Sequence, residues 1–376
     1  MDHPGLPGFR SARAASHDWR TACRSCIAQL EGLPPRANLG FVYASDPLTE
    51  ALDLVTSELR RATGIEDWVG TGGAGVCATG AEYVHEGALV VLAGELPART
   101  YQLFDHLEDE EGPGREPLGW PADDGPGFGV VHGGPREGPG EALTRLAEQR
   151  DLFLVGGLSS SAAGNAVQIA RRPTEGGLSG VLLTPEVPVI TGISQGCSPI
   201  GPVHEVTACH DAWITGLDGR PALEVLKEEI GELLARQLKR IGGYIHVALP
   251  VHGSDRADYL VRNLLGLNLK QQAIATGATL RRGESLMFVR RDGAAAQADL
   301  RRMLGDLKQR AAGRPIRGAL YHVCIARGPN LFGPDSAELR IIEDALGPVP
   351  LAGFFANGEI FHNRLYAYTG VLTLFL

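Results

Sequence analysis

Apolar segments and amphipathic segments follow one another along the chain in an order that occurs three times. In residues 37–96 an apolar segment, LGFVYAS, precedes an amphipathic one, and the apolar segments DWVGTGGAG and GALVVLAGEL follow. Residues 127–187 and 317–376 show the same order over a similar length of about 60 residues. A fixed order at a fixed length is typical of duplicated supersecondary units. The pattern therefore predicts three βαββ repeats.

The amphipathic segment of the first repeat carries the signals of a helix. Asp46 and Pro47 are suited to an N-cap and to a proline in the first helical turn. Apolar residues then recur at a spacing that places them on one helical face. These apolar residues are Ala51, Leu52, Val55 and Leu59.

The remaining pattern predicts the fold class. A shorter fourth repeat is predicted between Gly243 and Asp292, with DYLVRNLLG as its helix. Because parallel strands need a crossover connection, each repeat places a helix on one face of a mixed sheet. The segments VVLAG, GVLLT and VLTLF lack polar alternation, which indicates that both sheet faces are covered. We therefore expect an α/β fold of mixed sheets that pack together, with flanking helices and two similar halves.

The segments outside the repeats set the predicted domains. Residues 1–36 are an N-terminal helical extension, residues 37–217 a first domain, and residues 218–376 a second domain. A hairpin, HEVTACHDAWITGLDG, precedes a helix that begins at Pro221. Residues 107–126 are acidic and rich in proline and glycine, which predicts a mobile surface loop. The apolar face of the helix after Pro221 consists of Leu223, Leu226, Ile230, Leu233 and Leu234.

Charge and cysteine content narrow the class of protein. With 44 acidic and 35 basic residues the formal net charge is -9, which argues against nucleic acid as a partner. The sequence has no apolar run of about 18 residues and no signal peptide pattern, so we expect a cytoplasmic protein without a membrane partner. The six cysteines are expected to be reduced thiols. Cys23 and Cys26 share a helical face with Trp19 and Leu30, which favours packing over a redox or zinc motif.

One motif suggests a serine hydrolase. Residues 192–196 read GISQG, the spacing of a nucleophile elbow, in which a strand precedes the serine and a helix follows it. Pro199 and Pro202 oppose such a helix, so the elbow context is missing. An enzyme that uses Ser194, Cys197 or Cys324 as nucleophile remains an alternative, and a cysteine would need a depressed pKa for that role.

A second motif matches the dinucleotide-binding pattern G-x-G-x-x-G. Residues 70–75 read GTGGAG, but no amphipathic helix follows to receive a pyrophosphate. The equivalent positions of the other repeats are also rich in glycine, at residues 156–157 and 353–358. Glycine at a shared position indicates a positive φ angle or a close approach of two backbone segments. The amides at Gly72 and Gly73 are candidates for binding an anionic group.

Taken together, several motifs resemble the FIST family of sensory proteins, in which an N-terminal FIST module precedes a C-terminal one. The similarity extends from about residue 37 to the C-terminus. The motifs are GTGGAG at residues 70–75, QGCSPIGP at residues 195–202, Val206–Thr207, LDGRPA at residues 217–222, Cys324, Arg327–Gly328, LFG at residues 331–333 and GEI at residues 358–360.

The resemblance implies a sensory protein of signal transduction that binds a small molecule similar to an amino acid. Its output would pass to a separate partner. One branch of the family resembles haem-binding nitric oxide sensors that regulate histidine kinases, so the resemblance also implies an alternative with haem as cofactor. A haem needs a neutral imidazole as axial ligand. The candidates are His204 and His210, followed by His252 and His362.

The residues themselves are compatible with a site for such a ligand. We call residues 195–202 the connector. Pro199, Gly201 and Pro202 stiffen it, and rigid loops of this kind often frame ligand clefts. Arg327 is suited to a ligand carboxylate and Glu359 to an ammonium group. The alternative is an internal Arg–Glu ion pair that locks two repeats together. No metal motif is present. The candidate ligand-binding residues are Gly72, Gly73, Cys197, Pro199, Gly201, Cys324, Arg327, Asn357 and Glu359.

Overall fold

Residues 8–107, 127–134, 139–162, 167–251 and 258–376 are described by the computed structural model. Their contacts divide the chain into two compact regions. We call Met1–Ser194 with Asp299–Leu376 the repeat region, and Gln195–Ala298 the barrel region. Each region is described by itself.

The elements alternate between strands and helices in the repeat region, whereas strands dominate the barrel region. Up to residue 195 the elements are β1 (Arg10–Ala15), α1 (Trp19–Gln29), β2 (Leu39–Ser45), α2 (Asp46–Thr49), α3 (Leu52–Thr63), β3 (Asp67–Gly73), β4 (Gly75–Ala78), β5 (Ala81–Val84), β6 (Ala88–Gly94), β7 (Tyr101–Leu107), β8 (Gly127–Gly133), α4 (Pro139–Arg150), β9 (Leu152–Ser159), β10 (Val167–Ala170), β11 (Arg172–Glu175), β12 (Leu178–Leu183) and β13 (Val189–Gln195). The barrel region continues with β14 (Cys197–Pro199), β15 (His204–His210), β16 (Trp213–Leu217), β17 (Arg220–Pro221), α5 (Ala222–Ala235), a 3-10 turn (Leu238–Arg240), β18 (Ile245–Pro250), β19 (Tyr259–Asn268), β20 (Ala273–Thr276) and β21 (Ser285–Arg291). The chain ends with α6 (Gly293–Ala311), β22 (Gly318–Cys324), α7 (Pro329–Phe332), α8 (Ala337–Leu346), β23 (Leu351–Phe361), β24 (Arg364–Tyr366) and β25 (Thr369–Phe375).

The three predicted repeats are confirmed as βαββ units. They are β2–α3–β3–β6, β8–α4–β9–β12 and β22–α8–β23–β25. In each repeat the first strand lies in the middle, parallel to the second strand and antiparallel to the last. The first repeat lies in a six-stranded sheet of order β1-β6-β2-β3-β10-β11. The other two repeats share a larger sheet of order β13-β25-β22-β23-β9-β8-β12-β7, in which β9 pairs with β23.

Within the repeat region the two sheets face each other and helices cover their outer faces, as the apolar pattern predicted. Val42 and Ala44 of β2 belong to a core cluster with residues of α1 and α3. The alternate residue Tyr43 points the other way and stacks on Phe354 of the larger sheet, with ring centroids 5.2 Å apart. On the outer face of the larger sheet, Val131 packs with Leu143 of α4.

The glycines shared by the repeats are explained by close backbone approach. A Cβ atom on Gly70 would lie 1.8 Å from the carbonyl oxygen of Val42, far inside van der Waals contact. A Cβ atom on Gly156 would lie 1.8 Å from the carbonyl oxygen of Val131, and one on Gly353 would lie 1.9 Å from the carbonyl oxygen of Tyr321. Of these three glycines, Gly156 also has a positive φ of 136°. Any larger residue at these positions would push two paired strands apart.

The N-terminal segment packs as predicted around its cysteines. Cys23 and Cys26 are buried in one core cluster with Leu30, and Trp19 packs against that cluster. Burial raises the pKa of Cys23 to about 11 and that of Cys26 to about 12, as expected for inert thiols. The strand β1 precedes α1 and pairs with β6. The segment before residue 37 therefore contributes a strand as well as a helix.

The barrel region differs from the predicted fourth repeat. The segment DYLVRNLLG, residues 258–266, was predicted as a helix, but from Tyr259 onward it belongs to strand β19, which pairs with both β18 and β20. Six strands pair in a closed ring, because β18 also pairs with β21. Their order around the ring is β21, β15, β16, β20, β19 and β18. The prediction of a fourth βαββ unit is therefore wrong, and the structure does not show two similar halves. Short apolar runs do not distinguish a strand from a buried helix, which explains the error.

The helix α5 begins as predicted but ends its apolar face early. Leu223 and Leu226 are buried in the core of the barrel region. Gly231 has φ 78° and ψ 159°, which interrupts the helix. After that break the helical spacing no longer holds, and Leu233 is 77% exposed instead of lying on the predicted apolar face.

The acidic segment predicted as a mobile loop lies, apart from Leu107, outside the described residues. None of the helices in the described part of the chain is both long enough and apolar enough to cross a bilayer.

Candidate functional site

The connector in the barrel region is an edge strand followed by a fixed turn. Cys197, Ser198 and Pro199 pair with β21, and proline, which has no N–H to donate, is tolerated at such an edge. The carbonyl of Cys197 accepts a hydrogen bond from Tyr259 Oη at 2.5 Å, and the N–H of Ile200 donates to the carbonyl of Phe288 at 3.0 Å. No helix follows Ser194, so the predicted failure of the elbow context is confirmed.

Gly201 in this connector faces a carboxylate. A Cβ atom at Gly201 would lie 2.2 Å from the carboxyl carbon of Glu229 on α5. Glycine is therefore needed here because a side chain would displace that carboxylate. Gly201 could be recognised as a candidate from the sequence. Glu229 could not, because it is one of several polar residues on its helix.

The Glu229 carboxylate is held by a histidine. His204 Nε2 lies 2.6 Å from Glu229 Oε1, and His204 Nδ1 lies 2.6 Å from Asp218 Oδ2. Burial opposes charge on the ring, but the hydrogen bonds to the two carboxylates outweigh it and raise the pKa of His204 above its ordinary value. The geometry therefore favours an imidazolium clamped between Asp218 and Glu229. We call these three residues the His204 clamp.

A cavity of about 290 Å³ lies beside the clamp. Glu229 has its second oxygen, Oε2, buried without a hydrogen-bond partner among the described residues. The guanidinium of Arg290, at another part of the lining, is half exposed and lies 3.5 Å from Asp292. The cavity thus combines an acidic group, a basic group and apolar walls. Its lining residues are Pro199, Ile200, Glu229, Ile230, Leu234, Tyr244, Ile245 and Arg290.

The predicted site residues divide between the two regions. Cys197, Pro199 and Gly201 lie in the barrel region, where Pro199 lines the cavity, Gly201 follows the lining residue Ile200 and Cys197 lies two residues before Pro199. The other six lie in the repeat region, where Arg327 and Glu359 are both buried and have different hydrogen-bond partners.

Arg327 forms an internal ion pair. Its side chain is fully buried, and its Nε and Nη2 donate to Glu338 Oε1 at 2.9 and 2.6 Å. Nη1 and Nη2 also donate to the carbonyl and hydroxyl of Ser194. Tyr321 Oη donates to the same Glu338 oxygen at 2.6 Å. The partner is thus Glu338 of α8 and not Glu359, and a ligand-binding role for Arg327 stays a prediction.

Glu359, Cys324 and Asn357 have three different environments. Burial raises the pKa of Glu359 to about 8, against the opposing hydrogen bonds from Thr369, so the carboxyl is largely neutral at pH 7. Burial likewise raises the pKa of Cys324 far above that of a free thiol, the reverse of what a cysteine nucleophile needs. Asn357 is exposed. Their roles toward a ligand stay predictions.

The glycines of the first repeat are packed against neighbouring groups. A Cβ atom on Gly72 would lie 2.3 Å from the side chain of Thr49, and the carbonyl of Gly72 accepts a hydrogen bond from Ser159. A Cβ atom on Gly73 would lie 3.0 Å from a backbone carbonyl oxygen of β23. The next amide, that of Ala74, donates to Ser160 Oγ at 2.9 Å. Anion binding at these glycines stays a prediction.

The histidines considered for haem are placed differently from one another. His204 has both ring nitrogens in hydrogen bonds within the clamp. The side chain of His210 is 87% exposed, because register shifts in β15 separate it from the buried alternation of His204. His362 is exposed in the turn after β23, and His252 lies outside the described residues.

The structure also shows a polar cluster that the sequence analysis did not single out. Tyr43 Oη lies 3.2 Å from His132 Nε2 and 3.3 Å from His322 Nε2. All three side chains are fully buried between the two sheets of the repeat region. Burial lowers the pKa of both imidazoles, that of His322 to about 3, so both rings are neutral at pH 7. We call these residues the intersheet cluster.

Comparison with family models matches the chain in two adjacent parts. Residues 38–220 match the FIST N domain and residues 222–362 match the FIST C domain. Together these matches cover most of the chain.

Two mycobacterial proteins are similar to this chain in sequence. The "Uncharacterized protein Rv0628c" of Mycobacterium tuberculosis H37Rv is 37% identical over 261 residues, which covers 66% of this chain and 60% of the relative. The "Uncharacterized protein Mb0898c" of Mycobacterium bovis is 35% identical over 256 residues, covering 66% and 59%. The matched part thus spans about three fifths of the relatives' own length.

Proposed function

Because the chain belongs to the FIST family, with both the FIST N and the FIST C domain, we propose that it is a sensory protein that binds a small ligand in the cavity beneath Pro199 and Ile200. The ligand is an amino acid or a similar small metabolite. The output passes to a separate signalling partner, such as a histidine kinase, in the cytoplasm.

The observation that carries this proposal is that the family-like connector builds a wall of the cavity. Pro199 and Ile200 line it, and Gly201 leaves room for the Glu229 carboxylate. A volume of about 290 Å³ lies just below the range for small-molecule sites, roughly 300–1,000 Å³. This size suits a ligand no larger than an amino acid.

The charges of the cavity support a zwitterionic ligand. Glu229 Oε2 offers an acceptor to an ammonium group after a small movement of the side chains that bury it. Arg290 offers a planar pair of donors to a carboxylate. Ile230, Leu234 and Ile245 provide the apolar surface for the body of the ligand.

A thermal unfolding screen tests the proposal. The full chain is heated with each of the twenty amino acids and with short aliphatic amines. A ligand present at 100 times its Kd is expected to add about 2.7 kcal/mol to the free energy of unfolding. The variant Glu229→Gln should lose this effect, because the neutral amide removes the charge that pairs with an ammonium.

A neighbouring glutamate provides the matched control. Glu228→Gln lies on the same helix but alters an exposed pair with Arg220, so its ligand response should equal that of the wild type. No stabilisation by any compound, or an unchanged response in Glu229→Gln, would contradict the proposed site.

A further inference from the structure

The intersheet cluster is formed by equivalent positions of the three repeats. In each repeat one residue of the first strand pairs with the close-approach glycine of the second strand, namely Val42 with Gly70, Val131 with Gly156 and Tyr321 with Gly353. The residue that follows in the first strand is Tyr43, His132 and His322, respectively. The duplicated fold therefore brings the same structural position of each repeat to one point between the sheets.

The hydrogen bonds of this cluster involve only one nitrogen of each imidazole ring. The phenol of Tyr43 has one proton and can donate it to one of the two Nε2 atoms. The other imidazole must then carry its proton on Nε2. The Nδ1 atoms of His132 and His322 have no hydrogen-bond partner among the described residues. Buried polar atoms without partners are rare, so neither ring is fully satisfied by the described residues around it.

Tyr43 Oη lies at the spacing of metal ligands from both Nε2 atoms. The Oη–Nε2 separations of 3.2 and 3.3 Å are longer than the usual hydrogen-bond distance of about 2.9 Å. Tetrahedral zinc binds nitrogen at about 2.0–2.1 Å, which places neighbouring donor atoms roughly 3.3 Å apart. Both measured separations lie at this value.

We propose that Tyr43 Oη, His132 Nε2 and His322 Nε2 bind one divalent transition-metal ion of the zinc or copper type. Imidazole and phenolate donors suit these ions, and neither thiolate nor carboxylate is required. Binding displaces the phenolic proton of Tyr43 to solvent, so the oxygen coordinates as a phenolate. The three protein donors leave a fourth tetrahedral position for a small ligand.

The surroundings of the cluster are suited to a dry metal site. The ring of Phe354 stacks on Tyr43 and lies 5.8 and 5.6 Å from the rings of His132 and His322. This apolar wall fixes the orientation of all three donor groups. The site is distinct from the usual pattern of three or more His, Cys, Asp or Glu ligands, of which the described residues contain none.

The test loads the metal during folding, because the ligands are fully buried in the folded chain. The full chain is unfolded in denaturant with a chelator and refolded with Zn²⁺ or with Cu²⁺. After desalting, metal per chain is measured by mass spectrometry. We expect one ion per refolded wild-type chain.

Variants then assign the ligands. Loss of a group that merely orients a metal ligand weakens affinity about 10–100-fold, so His132→Gln and His322→Gln should each weaken binding by at least that factor. Tyr43→Phe keeps the ring and should abolish the phenolate-to-copper charge-transfer band. His210→Gln, which changes an exposed histidine, should bind like the wild type.

Spectra of the wild type keep the test decisive if a variant fails to fold. The copper-loaded wild type should show electron paramagnetic resonance coupling to two imidazole nitrogens together with the phenolate band. A refolded wild type without stoichiometric metal overturns the proposal. Copper spectra without imidazole coupling or without the phenolate band, or unchanged binding in the double variant His132→Gln and His322→Gln, also overturn it.

Discussion

His132 and His322 of the repeat region lie in an electrostatic setting opposite to that of His204 in the barrel region. His132 and His322 lie between two sheets, next to a phenol and an aromatic ring, and burial lowers their pKa. Despite its burial, His204 lies between Asp218 and Glu229, and its pKa is raised. The pKa of the imidazole is thus lowered at His132 and His322 and raised at His204.

The difference between these pKa values follows from the groups that surround each imidazole. Facing sheets exclude water from both sides, so a polar group there must be neutral or fully paired. The barrel region instead holds its charges at the edge of a cavity, where carboxylates on a hairpin and a helix reach one imidazole. Buried neutral imidazoles are suited to coordinating a metal ion. A charged clamp beside a cavity is suited to recognising a charged ligand.

The largest expected effect comes from breaking the buried ion pair of the repeat region. Arg327→Met removes the partner of Glu338 and leaves a carboxylate buried at 0% exposure. We expect a loss of about 3–5 kcal/mol in the free energy of unfolding, measured by urea denaturation. Arg340 is exposed and lies on the same helix as Glu338. Arg340→Met should change the free energy of unfolding by less than about 0.5 kcal/mol. A loss of the same size in both variants would contradict a special role for the pair.

The next prediction concerns how the free energy of unfolding depends on pH through His132 and His322. Because the folded pKa values of His132 and His322 lie below the ordinary value of about 6.5, their contribution is present above pH 6.5 and is lost as the pH falls toward the folded values. In chelator, the wild type should lose stability from pH 7 to pH 5 more steeply than the double variant His132→Gln and His322→Gln. Each pKa unit corresponds to about 1.4 kcal/mol, so the difference should reach about 1–3 kcal/mol. Parallel profiles would show that the two rings titrate freely.

The His204 clamp should show the opposite slope. The folded pKa of His204 is raised, so its contribution is fully present below about 6.5 and is lost as the pH rises through the folded value. His204→Gln should destabilise the chain by about 1–3 kcal/mol at pH 6, because it leaves a buried oxygen of Glu229 unpaired. The variant should differ less from the wild type at pH 9, as measured by urea unfolding. A difference that grows with pH would contradict a charged clamp.

The smallest expected effect concerns an exposed pair close to the clamp. Arg220 and Glu228 form an ion pair at the surface, with side chains 48% and 61% exposed. Water and salt screen such a pair, so Glu228→Gln should leave the urea midpoint unchanged within error. A clear shift in this variant would show that surface charge, and not the clamp, dominates the electrostatics of the barrel region.

Much of the repeat region could be predicted from the sequence because its signals are local and repeated. The helix face of Leu52, Val55 and Leu59 is buried as its spacing predicted. The first helical turn differs slightly, since Ser45 precedes the helix and the carboxylate of Asp46 instead accepts a hydrogen bond from Ser161 Oγ at 2.5 Å. The close approach at the shared glycines was also predictable, because three repeats carry the same residue.

The barrel region and the two histidine clusters could not be predicted in the same way. Strand β19 is apolar enough for a buried helix, and its pairing with β18 and β20 depends on distant segments. His132 and His322 are distant in sequence, and Tyr43 is a further 89 residues before His132. Their convergence becomes visible only when the repeats are aligned on the glycine that each first strand faces.

Nuclear magnetic resonance of the full chain with 15N-labelled histidine tests the central claim most directly. At pH 6 we expect an imidazolium signal for His204, whose pKa is raised above 6.5, and neutral signals for His132 and His322, whose pKa values are lowered. Adding the twenty amino acids as a pool should shift the His204 signal, because Glu229 joins the clamp to the cavity, and should leave the other two signals unchanged. A neutral His204 that does not respond, or a response confined to His132 and His322, would contradict the account.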